Sequence, residues 1–298
     1  MSGEPIAYIQ RTRTYYQALG YEPYGWAQFA EVPFQRLGKP LARCRVAIVT
    51  TAAPYQPDKG DQAAQAPYNA AAKFHHVYSL DAGRDHDLRI SHVAIDRTHT
   101  SGEDVGSYFP LAALRRAAAA GRIAAVAPRF HGLPTNRSHR VTWEVDCPDL
   151  VARCREDEVD AVVLVANCPV CHQSTSFAAR MLEASGIATV SMGCARDIVE
   201  RAGVPRFVFS DFPLGNAAGR PNDTVSQDQT LALALSLLES ASAPRTTVQS
   251  PLCWSDDDGW KLDYCNVERL TAAEIARRRA QFDRDKAIAR DVRGRREG

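Results

Sequence analysis

At 298 residues the chain is long enough for one large or two ordinary domains, so its core needs neither a disulfide framework nor a structural metal. A composition of 45% hydrophobic and 24% charged residues, with a net charge of +1, fits a soluble globular protein and gives no electrostatic argument for nucleic acid or a membrane surface as partner. No apolar run approaches the ~20 residues of a membrane span, and the opening MSGEPIAYIQRTRTYY lacks the apolar centre of an export signal. A cytoplasmic location is therefore expected, where most of the eight cysteines stay reduced.

In chain order, residues 1–43 form an arm rich in aromatic groups (Tyr8, Tyr15, Tyr16, Tyr21, Tyr24, Trp26, Phe29, Phe34) interrupted by Pro23, Pro33 and Pro40. It has too many breakers for one long helix and too much apolar surface to float free, so packing along the body or against a second subunit is expected. CRVAIVTTAAPY (44–55) reads as a buried parallel strand ending in a small-residue loop, and ISHVAID (90–96) as a second strand. LAALRRAAAAGRIAAV (111–126) reads as a helix stopped near Gly121 and followed by a short strand, and PDLVARCREDEVDAVVLVA (148–166) as a helix and a strand.

After that strand comes CPVCH. STSFAARMLEASG (174–186) then gives a helix, IATVSMG a strand, CARDIVERAG a helix and PRFVFSDFP (205–213) a strand. The alternation predicts an α/β fold with a mainly parallel sheet flanked by helices, with room for two similar Rossmann-like lobes dividing near 140–150 within a body of 44–265. DQTLALALSLLESASA (228–243) is an amphipathic helix, and 266–298 carry an arginine-rich helix that starts with a capping box, Thr271 to Glu274, and reads as a solvated surface helix. Neither a GxGxxG after a strand nor a Walker A sequence occurs.

CPVCH (168–172) matches three patterns: covalent haem attachment, half of a zinc site, or a redox dithiol with a neighbouring histidine. Haem needs export and a second axial ligand that Met1, Met181 and Met192 do not suggest. Zinc lacks a second CxxC, and His172 is too close for ordinary ligand spacing, so no metal is expected. In a parallel sheet, ligands bind beyond the carboxyl ends of the strands. Cys168 would lie in that turn and Cys171 near the first helical turn, where unpaired N–H groups favour a thiolate. The spacing lets the pair close into a disulfide, with His172 beside it as a proton donor.

All eight histidines lie between residues 75 and 172. His92, Asp96 and His99, at the end of the strand read over 90–96, form a second candidate group, an acid/base set or part of a metal site. Arg129, His131, Arg137 and Arg140 of APRFHGLPTNRSHR (127–140) form a candidate loop for binding a substrate anion. The glycine-rich FPLGNAAGRP (212–221) offers backbone N–H groups for an anion, as a weak motif.

The order of SHVAID-THT, FPLAAL, GRIAAVAPRFHG, VDAVVLVANCPVCHQS, GIATVSMG and PRFVFSDFPLGNAAGRP resembles the B-type selenoprotein subunit of the glycine, sarcosine, betaine and D-proline reductases over roughly residues 45–245. The resemblance implies reductive C–N cleavage, with Cys168 at the position of the family's selenocysteine and Cys171 at that of the following cysteine. Selenocysteine at 168 in the native protein stays open. No bound cofactor is implied; an external dithiol or thioredoxin-like reductant would supply electrons to a reductase acting on a small molecule. In the family a separate pyruvoyl-containing chain activates the amino group, and nothing in these residues supplies it. Possible associations are a partner reductase subunit, a redox partner or a homo-oligomer. Other readings of the residues stay open: a non-redox cysteine enzyme of the racemase or isomerase kind using Cys194 as second thiol, a metal-binding or redox subunit of a larger complex, and a structural partner.

Overall fold

The structure, a computed structural model, describes residues 3–90 and 92–297, with side chains of the last helix described as far as Asp291. In chain order the elements are α1 (Tyr8–Ala18), β1 (Arg45–Thr50), β2 (Ala53–Pro54), β3 (Tyr78–Asp81), β4 (Leu88–Arg89), α2 (Leu111–Ala119), β5 (Ala125–Val126), β6 (Arg129–Gly132), α3 (His139–Val141), α4 (Cys147–Glu156), β7 (Ala161–Val165), α5 (Pro169–Ala184), β8 (Ala188–Gly193), α6 (Arg196–Ala202), β9 (Arg206–Phe209), α7 (Thr224–Ser240), β10 (Thr246–Gln249) and α8 (Ala272–Glu297). A π-helical stretch, Thr142–Asp146, joins α3 to α4.

The main sheet has the order β10-β9-β8-β7-β1-β6-β3, with β5 also pairing β1. Every pairing in it is parallel except β3 with β6. Strands β1, β7 and β8 read as unbroken apolar runs because both faces of the sheet are covered. Val46, Ile48, Val163, Val190 and Met192 face α2 and α7 through Leu114, Leu231, Leu235 and Leu238. The alternate residues Ala47, Val49, Val162 and Leu164 face α4 and α5 through Leu150, Cys154, Phe177 and Leu182. Each such burial stabilises the fold by roughly 1.5–3 kcal/mol.

The sheet is continuous across residues 140–150, because β1 pairs with β6 on one side and β7 on the other. From β1 the chain crosses to β6, then returns past β1 to β7 and proceeds outward through β8, β9 and β10. The connections leaving β1 and β7 therefore diverge, opening a crevice beyond their carboxyl ends, the place where doubly wound sheets bind ligands.

Three expectations change. Residues 90–96 are a loop, Ser91 lying outside the described residues. Ile90 and Ile95 are buried as strand residues would be, but Arg97 takes the place of a neighbouring strand by donating to the carbonyls of His92 (2.6 Å), Val93 (3.1 Å) and Ala66 (2.9 Å). The stretch 127–140 is only partly a loop, since Arg129–Gly132 is strand β6. The third concerns α8, which begins with the expected capping box: Thr271 Oγ1 accepts from Glu274 N at 3.2 Å and Glu274 Oε2 accepts from Thr271 N at 2.9 Å. Instead of lying wholly in solvent, it lays Phe282, Asp285 and Ala289 over the crevice.

The aromatic arm packs along the body. Gln173 on α5 accepts from Ala27 N (2.7 Å) and donates to Tyr24 Oη (2.7 Å). Arg180 and Arg206 donate to the arm carbonyls of Glu31 and Gln35, both at 2.7 Å, while their guanidinium groups stack on Phe29 (4.0 Å) and Phe34 (4.3 Å). No helix among the described residues is long and apolar enough to cross a membrane.

Candidate active site

CPVCH sits at the junction of β7 and α5, earlier than the helix expected from residue 174. Cys168 is the N-cap of α5, extended at φ −140° and ψ 168°, and Pro169 occupies the first turn, where its missing N–H costs nothing. The Cys168 sulfur accepts from Cys171 N at 3.3 Å. This capping bond brings the two side chains to the same end of the helix. Cys171 is fully buried and Cys168 is 5% exposed. Both are free thiols.

The third member comes from the 92–97 loop. A ring nitrogen of His92 and the sulfurs of Cys168 and Cys171 all lie within 4.8 Å of one another. Thr51, just past β1, stands beside Cys171. Its oxygen accepts both the backbone N–H (3.3 Å) and the side-chain N–H (3.2 Å) of Asn167, which leaves the hydroxyl hydrogen for the Cys171 sulfur. Burial alone would raise the Cys171 thiol, but the hydrogen bond from Cys168, the charge and hydrogen bond of His92 and the Thr51 hydroxyl hold it well below the ordinary range. Burial and donation to Cys171 push Cys168 well above it. Within the pair, the surroundings therefore favour the thiolate at the inner sulfur over the outer one.

Cys168 and His92 open onto a cavity of about 300 Å³, large enough for a small substrate. Tyr16, Tyr68, Phe74 and Phe282 provide aromatic walls, and among the described lining residues Lys73, Arg137, Lys286 and Arg290 are cationic while Asp285 is the one carboxylate. Arg137 lies over the rings of Tyr16 (5.4 Å), Phe282 (5.6 Å) and Tyr24 (5.9 Å). It has no ion-pair partner among the described residues.

The other expected site residues lie elsewhere. His172 is fully buried and does not line the cavity. Its Nδ1 donates to Cys168 O at 2.7 Å, so Nε2 is the unprotonated nitrogen that accepts from Cys194 N (2.9 Å) and Ala195 N (3.1 Å). Both nitrogens are committed, which removes His172 as a proton donor and makes it a brace between α5 and the end of β8. The brace needs Gly193, where a Cβ would stand 2.5 Å from His172 Nε2. Asp96 is buried and caps its own loop by accepting from Thr98 and His99 N–H groups, each at 3.1 Å. His99 Nε2 meets Asp263 at 2.8 Å. Neither Asp96 nor His99 lines the cavity, so only His92 of that set reaches the dithiol.

Of the proposed anion-binding residues, Arg137 alone lines the cavity. Arg129 is held by Asp157 (2.8 Å) and Glu156 (2.7 Å). Arg140 meets Glu144 at 3.4 Å on the surface. His131 is fully buried, with Nδ1 2.9 Å from Ser79 Oγ and Nε2 3.5 Å from Asp157. Strand β6 explains Arg129 and His131: two residues apart, they share the face of the strand that meets Asp157. Residues 212–219 are buried and anchor the 95–100 loop, Asn216 donating to Thr100 Oγ1 at 2.8 Å, so they present no anion cradle. Cys194 has its sulfur toward Pro213 O (3.8 Å) and does not line the cavity, leaving no second thiol opposite Cys168.

Burial lowers both His131 and His172 from 6.5 to about 4. The unfolded chain binds these protons first, so their neutral forms support the fold fully above pH 6.5, and the support is lost as pH falls toward about 4. The urea-titrated loss of unfolding free energy between about pH 7 and about pH 5 should therefore be smaller by roughly 1–2 kcal/mol in His131→Gln than in the parent. An equal loss in the two proteins would contradict the neutral assignment of His131.

The fold and site define a doubly wound α/β protein that carries a buried dithiol at its topological switch point. D-proline reductase subunit gamma from Acetoanaerobium sticklandii is 30% identical over 190 residues, covering 63% of this chain and 76% of that protein. The chain belongs to the proline/glycine reductase family, and its general role is that of a reductase-family protein. No protein-family model matches it, and no solved structure does.

Proposed function

We propose that the protein is the dithiol component of a reductase that cleaves a carbon–heteroatom bond, of the C–N type, in a small substrate. The observation that carries this reading is the arrangement of the thiols: Cys168 at the mouth of the cavity, Cys171 directly behind it and His92 beside both.

Cys168 gives up its proton through His92 as its sulfur attacks the substrate carbon and forms a C–S bond; the C–N bond breaks and its electron pair leaves with the amine, which takes up that proton. The Cys171 thiolate then attacks the Cys168 sulfur. The C–S pair departs on carbon and is protonated, leaving a Cys168–Cys171 disulfide. The substrate gains two electrons, the dithiol loses two, and an external dithiol or thioredoxin-like protein restores the thiols. His92 is the proton carrier nearest the sulfurs, and Arg137 holds an anionic group of the substrate. The relative's description as a subunit supports assembly with a partner reductase chain.

Cys171→Ala separates the two halves of this sequence. Incubated with substrate and partner chains, it should give one adduct on Cys168, visible by intact mass, with turnover reduced by about 10³-fold or more. Sustained turnover in this variant would exclude Cys171 as the resolving thiol.

A further inference from the structure

We propose that the reduced dithiol and His92 together form a binding site for a thiophilic divalent cation, Zn²⁺ above all, and that the bound cation caps the dithiol. The spacing within CPVCH offers only two ligands, but the fold supplies a third from a distant loop: the His92 nitrogen and both sulfurs lie within 4.8 Å of one another. That is close enough for small side-chain rotations to bring all three onto one ion at the usual Zn–S and Zn–N distances of about 2.3 and 2.0 Å.

The donor set is two sulfurs and one imidazole nitrogen, which selects zinc and excludes magnesium or calcium. The ligands are also braced from behind. Arg97 fixes the His92 loop through three carbonyls, and the Cys168 sulfur is held by the first turn of α5. Cys168 and His92 line the cavity while Cys171 lies beneath them. The fourth coordination position therefore opens into the cavity, where water or a small ligand completes the shell. Such a site is exchangeable, unlike the closed four-ligand sites that hold folds together.

Zinc there occupies the sulfur that opens to the cavity, and a Cys168–Cys171 disulfide removes both sulfur ligands. Metal and oxidant thus compete for the same pair. The inference rests on the ligand geometry and is independent of the C–N cleavage reading.

The test uses the full chain, reduced and freed of metal, titrated with Zn²⁺ against a chromophoric chelator and in parallel with Co²⁺. One ion per chain is expected, with sulfur-to-cobalt charge-transfer absorption and the ligand-field bands of a tetrahedral site. Cys168→Ser, Cys171→Ser and His92→Ala should each weaken binding by more than the roughly 10–100-fold that loss of an outer-shell partner costs. Protein oxidised to the disulfide should bind none. Binding that persists in either serine variant, or is unchanged in His92→Ala, would overturn the three-ligand site, as would a cobalt spectrum without sulfur charge transfer. Far-UV circular dichroism confirms that each variant is folded. Failure here leaves reversible disulfide formation untouched, and failure of disulfide formation leaves metal binding untouched, so the two readings fall separately.

Discussion

Cys168→Ser should lower turnover by about 10³-fold or more while leaving the fold intact. The two effects separate because the residue does two jobs. As N-cap of α5 its sulfur accepts the Cys171 N–H at 3.3 Å, and serine is among the best residues for that position. Stability by urea titration should therefore be equal or slightly higher. The hydroxyl keeps the cap but is a far weaker nucleophile than the thiol, so chemistry is lost without the helix. Near-parental turnover in a folded Cys168→Ser protein would remove Cys168 from the reaction.

The second large effect falls on stability. Arg206 and Glu183 form a fully buried ion pair at 2.8 Å. Glu183 also accepts from Thr189 N (2.5 Å) and Thr189 Oγ1 (2.8 Å), and Arg206 reaches Thr189 O at 3.3 Å. The pair joins α5, β8 and β9 and, through Gln35, fastens the arm. Arg206→Met leaves the carboxylate buried without its counter-ion, which costs about 3–5 kcal/mol. Burial already raises the Glu183 carboxyl, and loss of the guanidinium raises it further. A carboxyl raised in the folded state is stabilising while protonated and loses that support as pH climbs through its folded pKa, so the deficit should grow with pH. Glu183→Gln added to Arg206→Met should recover part of it by removing the stranded charge. A single variant as stable as the parent would show that the pair contributes nothing.

What could be read in the sequence follows the strength of each local signal. The apolar run ending at Val165, the CPVCH turn and the helix after it place the dithiol correctly, because a strand buried on both faces and a proline in the first helical turn are local patterns. His92 was legible as a candidate, but its company was not. Ile90 and Ile95 imitate a strand, while Arg97 turns back on the carbonyls of His92 and Val93 and ties the segment to the distant Ala66, a bond that no local pattern announces.

The same limit explains the arginines. Nothing in their spacing separates Arg137, which reaches the cavity, from Arg129, which strand β6 directs to Asp157. Thr51 could have been noticed as a polar residue at the carboxyl end of a strand, but only the sheet order places β1 beside β7. The cover formed by α8 rests on Phe282 and Ala289 among many charges, too few apolar positions to mark a packed face.

The central claim, that Cys168 and Cys171 are a working redox couple reached through Cys168, is tested most directly by intact-protein mass spectrometry across a series of glutathione or dithiothreitol redox buffers. The expected result is a reversible loss of two hydrogens mapped to a Cys168–Cys171 disulfide and restored by a thioredoxin-like reductant. Cys171→Ala should collect a mixed disulfide at Cys168, and Cys168→Ser none at the inner cysteine. The same spectrum distinguishes sulfur from selenium at position 168. A folded protein whose Cys168 and Cys171 stay thiols across the whole series would contradict the account.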